Sequence, residues 1–422
     1  MDASTSTPVA VDGTSSRTPV ATDDVMLEDQ SSSDTDENGA SSDADSSEEA
    51  EQEGSIAAHK GPKIVMVTGV AGFIGSHCAE RLIARGDIVI GVDEVNDYYD
   101  PRMKRANLAR VERLAGSSGR FKFFEGDLCD KPFIESIFAT ERPTWMLHLA
   151  ARAGVRPSID DPFIYIHSNI EATTRLLELA RTFGCEHFVF ASSSSVYGGS
   201  PKTLFSEMDD VSNPVSPYAA TKKSCELIGY TFNHLYDLPV AGLRFFTVYG
   251  PGGRPDMAPF KFVDRVSRGV EIQQFGDGSS SRDYTYIDDI VDGCIRTLDR
   301  PSGYQVYNLG NGEPTRLRDF IDIVQRETQR EAVIKILPDQ PGDVPRTCAD
   351  ITKARQLLGY NPKTRFADGM AKTVSWYTDE YAPRMARDAE EAAAAAAPLT
   401  KRAAIKRPVS MMNFMAHEGE QR

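Results

Sequence analysis

A chain of 422 residues is long enough for two or three domains, and a net charge of −15 leaves no basic field for nucleic acid or an anionic membrane. Much of that charge is local, with fifteen Asp and Glu against Arg17 and Lys60 among residues 1–60. No run approaches the roughly eighteen apolar residues of a membrane-spanning helix, and the six cysteines form no CxxC and have no histidine at zinc spacing, so reduced thiols of a cytoplasmic protein are expected, without a disulfide framework or metal site.

Residues 1–61 are rich in Ser, Asp and Glu and poor in large apolar side chains, which predicts a disordered, solubilising tail. The basic flank and apolar core of a signal peptide are missing from it. Lys63–Thr68 reads as a buried strand, and Gly69-Val70-Ala71-Gly72-Phe73-Ile74-Gly75 turns from it into a helix to Arg85. Glycines so spaced allow close backbone approach at a helix N-terminus, the place for a pyrophosphate. A second strand, Ile88–Val92, ends in Asp93. A carboxylate there accepts hydrogen bonds from an adenosine ribose and repels a 2′-phosphate, which argues for NAD over NADP.

The loop Asn96–Pro101 with Lys104 and Arg105 reads as solvated on charge alone. A third strand, Phe121–Phe124, leads to Asp127 and Leu128, and a fourth, Trp145–Ala151, ends in Leu149, Ala150 and Ala151, small enough at Ala150 and Ala151 for a cofactor to come close. His148 within that strand reads as structural. Arg156, just beyond it, is placed either to meet an anionic ligand or to lie on the surface. Helices over about 161–183 and 217–236 carry apolar residues on more than one side, more than a single buried face needs.

Ser192-Ser193-Ser194-Ser195 precedes the second of these helices, which holds Tyr218 and Lys222 four residues apart, on one face. A cation near a phenol favours its phenolate, and a serine hydroxyl can share a substrate proton with it, so the pairing suits oxidation of an alcohol. A strand over Val240–Phe245 follows. Beyond it Gly, Pro and Arg become frequent and the regular alternation is lost. Past Ala382 an alanine run and mixed charges predict a poorly ordered tail over 383–422, with 392–397 locally helical.

The GxxGxxG turn, the serine run and YxxxK together resemble the extended short-chain dehydrogenase/reductase family, and the order of motifs from Lys63 to Tyr377 is similar to that of its UDP-glucuronate 4-epimerase branch. The resemblance implies an α/β fold, a doubly wound parallel Rossmann sheet over 62–246 with a segment near 283–300 returning to it as a strand at 284–287. A smaller α/β substrate domain would take 247–282 and 301–380. It implies Ser193, Tyr218 and Lys222 as catalytic residues. Gly69, Gly72, Phe73, Ile74, Gly75, Asp93, Asn96, Asp127, Leu128, Leu149, Ala150 and Ala151 would hold NAD, with Tyr218 and Lys222.

On the substrate side, Arg254, within Gly253-Arg254-Pro255-Asp256-Met257, becomes the partner of a sugar carboxylate with Thr247 beside it, since an arginine fork suits a planar anion. Ser192 and Ser194 would neighbour the sugar, Arg282 and Arg346 would reach the diphosphate of a UDP-sugar, and Asp343 its ribose. The implied activity is reversible C4 epimerisation of UDP-glucuronate to UDP-galacturonate, in a homodimer paired through the two helices. Alternatives left open are a UDP-glucuronate decarboxylase, a UDP-glucose 4-epimerase and a non-catalytic NAD-binding scaffold. A 4,6-dehydratase is disfavoured, because Ser194 and Ser195 stand where those relatives carry Asp and Glu.

Overall fold

The structure, a computed structural model, describes residues 55–338 and 346–396. Most of the acidic tail, the end of the chain from 397 and Asp343 lie outside the described residues. Where chain is described, apolar runs bounded by Gly, Asp and Ser form strands that alternate with capped helices. In order these are β1 (Ile64–Thr68), α1 (Phe73–Arg85), β2 (Ile88–Asp93), α2 (Pro101–Ala115), β3 (Phe121–Glu125), α3 (Lys131–Glu141) and β4 (Trp145–His148). Asp100 and Asp130 cap α2 and α3 by accepting from backbone N–H groups, with Pro in the first turn of each helix. Helix α1 lacks both a side-chain cap and an acidic residue in its first turn, so its N–H groups face outward for another acceptor.

Two short turns, α4 (Pro157–Asp160) and α5 (Pro162–Tyr165), and a π-helical stretch, Ile166–Glu171, run into α6 (Ala172–Phe183), followed by β5 (His187–Ser193), α7 (Pro217–Tyr236) and β6 (Val240–Phe245). The remainder comprises β7 (Thr247–Tyr249), α8 (Ala258–Ser267), β8 (Ile272–Phe275), β9 (Ser281–Tyr286), α9 (Ile287–Leu298), β10 (Tyr304–Leu309) and β11 (Pro314–Arg316). It ends with α10 (Leu317–Thr328), β12 (Ile334–Leu337), α11 (Thr352–Leu358), α12 (Phe366–Trp376) and α13 (Ala382–Ala396).

The main sheet is parallel throughout, in the order β10-β6-β5-β4-β1-β2-β3. Successive side chains enter opposite layers: Val65 and Val67 pack in one core, Met66 in the other. Strand order reverses between β1 and β4, the place where such sheets open a crevice at their carboxyl ends. Among the described residues no helix is long and apolar enough to cross a membrane.

Three expectations are corrected. The strand over 284–287 does not return to the main sheet; β9 pairs with β7 and β11 in a separate three-stranded sheet. Tyr284 and Tyr286 are drawn there by ring contacts with Tyr249 and, for Tyr284, with Phe366. The returning elements are α9, which packs on α1, and β10, which pairs with β6. At the amino end, the expected tail stops short of residue 61: the Ile56 N–H donates to Leu357 O at 3.1 Å, and that of His59 to Asp299 O at 2.7 Å, with the His59 ring 5.0 Å from Trp145. At the other end α13 is helical through Ala396, as its alanine content favours, so order is not lost at 383.

Candidate active site

A cavity of about 450 Å³ opens over the carboxyl ends of the main strands. One wall is the glycine turn. Gly69 has φ +69°, and a Cβ there would lie 2.7 Å from Ala150 N, so glycine is required both by backbone conformation and by the close approach of the backbone that follows β4. Gly72 and Gly75 let the turn close on Gly69 O and lead into the uncapped end of α1. Asp93, at the end of β2, accepts from the N–H groups of Ala71 (3.0 Å) and Val95 (2.8 Å). Burial pushes its carboxyl up, against those bonds and the Lys104 ammonium.

Lys104 is not in a solvated loop: it is buried, and its Nζ donates to Asn96 O at 2.9 Å and Asn96 Oδ1 at 2.6 Å. That pairing holds the Asn96 loop over the cavity. At the far end Asp127 accepts from the Cys129 N–H (2.9 Å) and pairs with His167 (2.9 Å); burial raises its carboxyl, but these partners hold it below the ordinary range. Leu128, Leu149, Ala150 and Ala151 line the cavity beside Phe73, Ile74 and Asn96. His148 is a buried spacer, 2.7 Å from Thr68 Oγ1 and 3.0 Å from Thr173 Oγ1.

The other wall combines β5 and the start of α7. Ser216 caps α7 and Pro217 opens it, so Tyr218 is fixed in the first turn, with its N–H donating to Ser158 Oγ at 3.1 Å. Tyr218 and Ser193 line the same cavity; the Ser193 Oγ donates to Ser195 Oγ at 3.1 Å and accepts from the Ser195 N–H at 3.2 Å. Within the serine run Ser192 is committed elsewhere, its hydroxyl donating to buried Glu226 at 2.7 Å. Ser194 lines the cavity. Burial raises the Tyr218 phenol, and the Ser193 side chain and the Arg254 charge oppose it.

That electrostatic help was expected from Lys222. Lys222 is buried, donates to Ala191 O at 2.8 Å, and has its ammonium pushed below the ordinary range by desolvation. Arg254 stands across the cavity and is gripped by Asp256 through bonds of 3.0 Å (Nε) and 2.6 Å (Nη2). These bonds outweigh burial and keep the guanidinium charged. Its Nη2 also lies 3.5 Å from the Tyr98 hydroxyl and from Ala153 O. Tyr98 bonds Ala153 O and carries the Arg152 guanidinium over its ring at 4.4 Å.

Tyr98 and Arg152, which line the cavity, and Asp256, which grips Arg254, were not expected as site residues, because their roles depend on Arg254 reaching them. Thr247 lines the cavity with Phe246 and Met257. Arg282 and Arg346 do not line it. Arg282 follows Ser281, which bridges to Arg346 at the edge of the second sheet, and its Nη1 donates to Ser281 O at 2.9 Å. Arg156 lies over the Phe275 ring at 5.7 Å, outside the cavity. Arg244 is structural: with Glu226 it forms a buried two-pronged pair, 2.9 Å on each prong.

A family model described as GDP-mannose 4,6 dehydratase matches residues 66–373. A UDP-glucuronate 4-epimerase of Thermodesulfobacterium geofontis is 43% identical over 312 residues, covering 74% of this chain and 95% of that protein. The solved UDP-glucuronic acid 4-epimerase of Bacillus cereus, in complex with UDP-glucuronic acid and NAD, superposes with a TM-score of 0.69 at 32% identity, covering 75% of this chain and 99% of that one. The UDP-glucose 4-epimerase of Thermotoga maritima, solved with UDP-glucose, gives the same TM-score, identity and coverages. The order of the strands, the glycine turn and Tyr218 lining one cavity and these likenesses agree: the chain belongs to the extended short-chain dehydrogenase/reductase family.

Proposed function

We propose that the protein is an NAD-dependent isomerase that inverts C4 of UDP-glucuronate, giving UDP-galacturonate reversibly through a 4-keto sugar. The residues present suit the dinucleotide. The end of α1 offers uncapped N–H groups to a pyrophosphate, and the Gly69 turn admits no side chain. Gly72, Phe73, Ile74 and Gly75 would hold the phosphates, Asp93 and Asn96 the adenosine ribose, Asp127 and Leu128 the adenine, and Leu149, Ala150 and Ala151 the centre. Tyr218 and Lys222 would face the nicotinamide ribose. Bound NAD supplies a reversible acceptor of hydride.

Tyr218, once its own phenol proton has left to solvent, acts as the phenolate that takes the C4 hydroxyl proton, with Ser193 as the bridging hydroxyl, and returns it after the ring has turned over. Arg254 grips the C6 carboxylate, with Thr247 and Ser194 beside the sugar. Such a 4-keto sugar is a β-keto acid, and a guanidinium on its carboxylate stabilises the charge that loss of carbon dioxide would remove. Arg282 and Arg346, which do not line the cavity, are proposed for the diphosphate on the resemblance alone, and the ribose role expected for Asp343 falls outside the described residues. The observation that carries the reading is a half-buried, charged arginine lining one cavity with the tyrosine whose ionisation its charge favours.

We assign 62–246 with α9 and β10 to the cofactor domain and the rest of the chain to Ala382 to the substrate domain. Phe163, Ile166, Leu227 and Tyr230 remain exposed on the two helices suited to pairing, which supports a homodimer. A second reading, UDP-glucose as substrate, is favoured by one feature: Asp256 already neutralises Arg254. Proton NMR of the products from UDP-glucuronate and from UDP-glucose, without added NAD, tests both. UDP-galacturonate is expected; UDP-xylose as main product, or turnover of UDP-glucose alone, overturns the first reading. Binding of NAD without turnover of either sugar indicates a scaffold.

A further inference from the structure

The adenine end of the cavity carries a second cluster that the epimerase chemistry does not use. Asp127 and Cys129 lie on the loop after β3, and His167 comes from the π-helical stretch, 38 positions after Cys129. A carboxylate oxygen, the Cys129 sulfur and an imidazole nitrogen lie within 4.8 Å of one another. The imidazole is also backed: Nε2 is 2.9 Å from Asp127 Oδ2, while Nδ1 is 3.1 Å from Glu171 Oε2, and Glu171 in turn accepts from Arg175 at 3.1 Å. Glu171 fixes the proton on Nδ1, the backing that metal-ligating imidazoles receive; Nε2 faces Asp127 through a proton of its own, and it becomes a ligand once that proton is displaced. π-Helical insertions are frequent at functional sites.

We propose that Asp127, Cys129 and His167 bind a thiophilic divalent cation, with Zn²⁺ the best match, and that this cation competes with NAD for the adenine end of the cavity. The mixed sulfur, nitrogen and oxygen set suits Zn²⁺ and not Mg²⁺ or Ca²⁺, which take oxygen ligands. Tetrahedral Zn²⁺ holds nitrogen and oxygen ligands roughly 3.3 Å apart and sulfur roughly 3.6 Å from each. The Asp127–His167 pair therefore opens by a few tenths of an ångström, and Cys129 swings inward. Asp127 and His167 are each 45% exposed at the side chain, which leaves the fourth position to solvent.

Without a cation the thiol is protonated, pushed up to about 12 by burial and the nearby Asp127 carboxylate. As the metal–sulfur bond forms, the Cys129 proton leaves to solvent, as does any proton on His167 Nε2; no electrons are transferred. The competition rests on the proposed cofactor site, because Asp127 cannot serve both ligands. The primary sequence hides the cluster, since an Asp-x-Cys pair with a distant histidine matches no zinc spacing.

The test uses the full chain stripped of NAD and treated with chelator. Co²⁺ is the optical probe, and NAD binding is measured by calorimetry with and without saturating Zn²⁺. Stoichiometric Co²⁺ binding with an intense thiolate-to-cobalt absorption is expected, and NAD affinity falls about tenfold or more when Zn²⁺ is present. Cys129→Ser, which lies outside the proposed catalytic and cofactor residues, removes the absorption and weakens Co²⁺ by about 100-fold. Glu171→Gln keeps the absorption and weakens binding about tenfold. Co²⁺ binding without the thiolate absorption, or unchanged affinity in Cys129→Ser, overturns the site. A thiolate–cobalt site that leaves NAD affinity unmoved overturns the competition and the adenine placement with it.

Discussion

Replacing Glu226 by Gln should remove about 3 kcal/mol of stability without changing the shape of the side chain. The Glu226 and Arg244 side chains are only 1% and 3% exposed. The carboxylate receives both prongs of the guanidinium and the Ser192 hydroxyl. Removing one partner of such a pair costs about 3–5 kcal/mol, because the other charge stays buried and uncompensated. The lower end applies here, since the glutamine oxygen still accepts one bond and Tyr197 remains within 3.0 Å of Arg244.

In a domain of this size about 3 kcal/mol corresponds to a fall in Tm of roughly 5 °C, measurable by calorimetry. Burial pushes Glu226 up, but the Arg244 and Ser192 bonds outweigh it, and its folded-state pKa lies below the ordinary value. Its stabilisation is therefore complete above the unfolded pKa of about 4.3 and is lost as pH falls through the folded value. The gap between wild type and Glu226→Gln must narrow on acidification. Glu226→Leu combined with Arg244→Met should be less destabilised than either single change. A Glu226→Gln protein within about 1 kcal/mol of wild type at pH 7 would refute the reasoning.

Tyr218→Phe should lower kcat by about 100-fold or more while leaving NAD and UDP-sugar binding within a few-fold, as calorimetry and initial rates will show. Arg254→Leu should cut kcat/KM for UDP-glucuronate about 100-fold and that for UDP-glucose far less, because only the acid needs the cation; equal losses would remove Arg254 from carboxylate recognition. Gly69→Ala places a Cβ against Ala150 at positive φ, costs about 2 kcal/mol by thermal melting and abolishes retention of NAD on purification. Buried His148 and His187 are held neutral by desolvation, with folded-state values of about 3 and about 4. Each gains a proton more readily when unfolded, so stability is lost as pH falls below about 6.5, by about 2 kcal/mol per histidine at pH 5. A flat melting temperature from pH 7 to pH 5 would contradict this.

Much of the cofactor half was legible because its signals are local. The GxxGxxG turn, the carboxylate closing β2 and the Tyr218–Lys222 spacing each lie within one loop, strand end or helical turn, where a few adjacent residues dictate backbone conformation and facing. The substrate half was less so. Strands of three to six residues such as β9 and β10 carry too little periodicity to identify their partners, and the assignment went to the wrong one.

The amino-acid order by itself determined the alternation of strand and helix, the glycine turn and the Tyr218–Lys222 pairing on one helical face, since each follows from neighbours in the chain. Only the tertiary structure decided that Ser192 is committed to Glu226, that Arg254 faces a tyrosine 156 positions earlier, and that Asp127 meets His167. Those pairings depend on which distant groups are desolvated together, because a buried polar atom must find a partner wherever the fold brings one within reach.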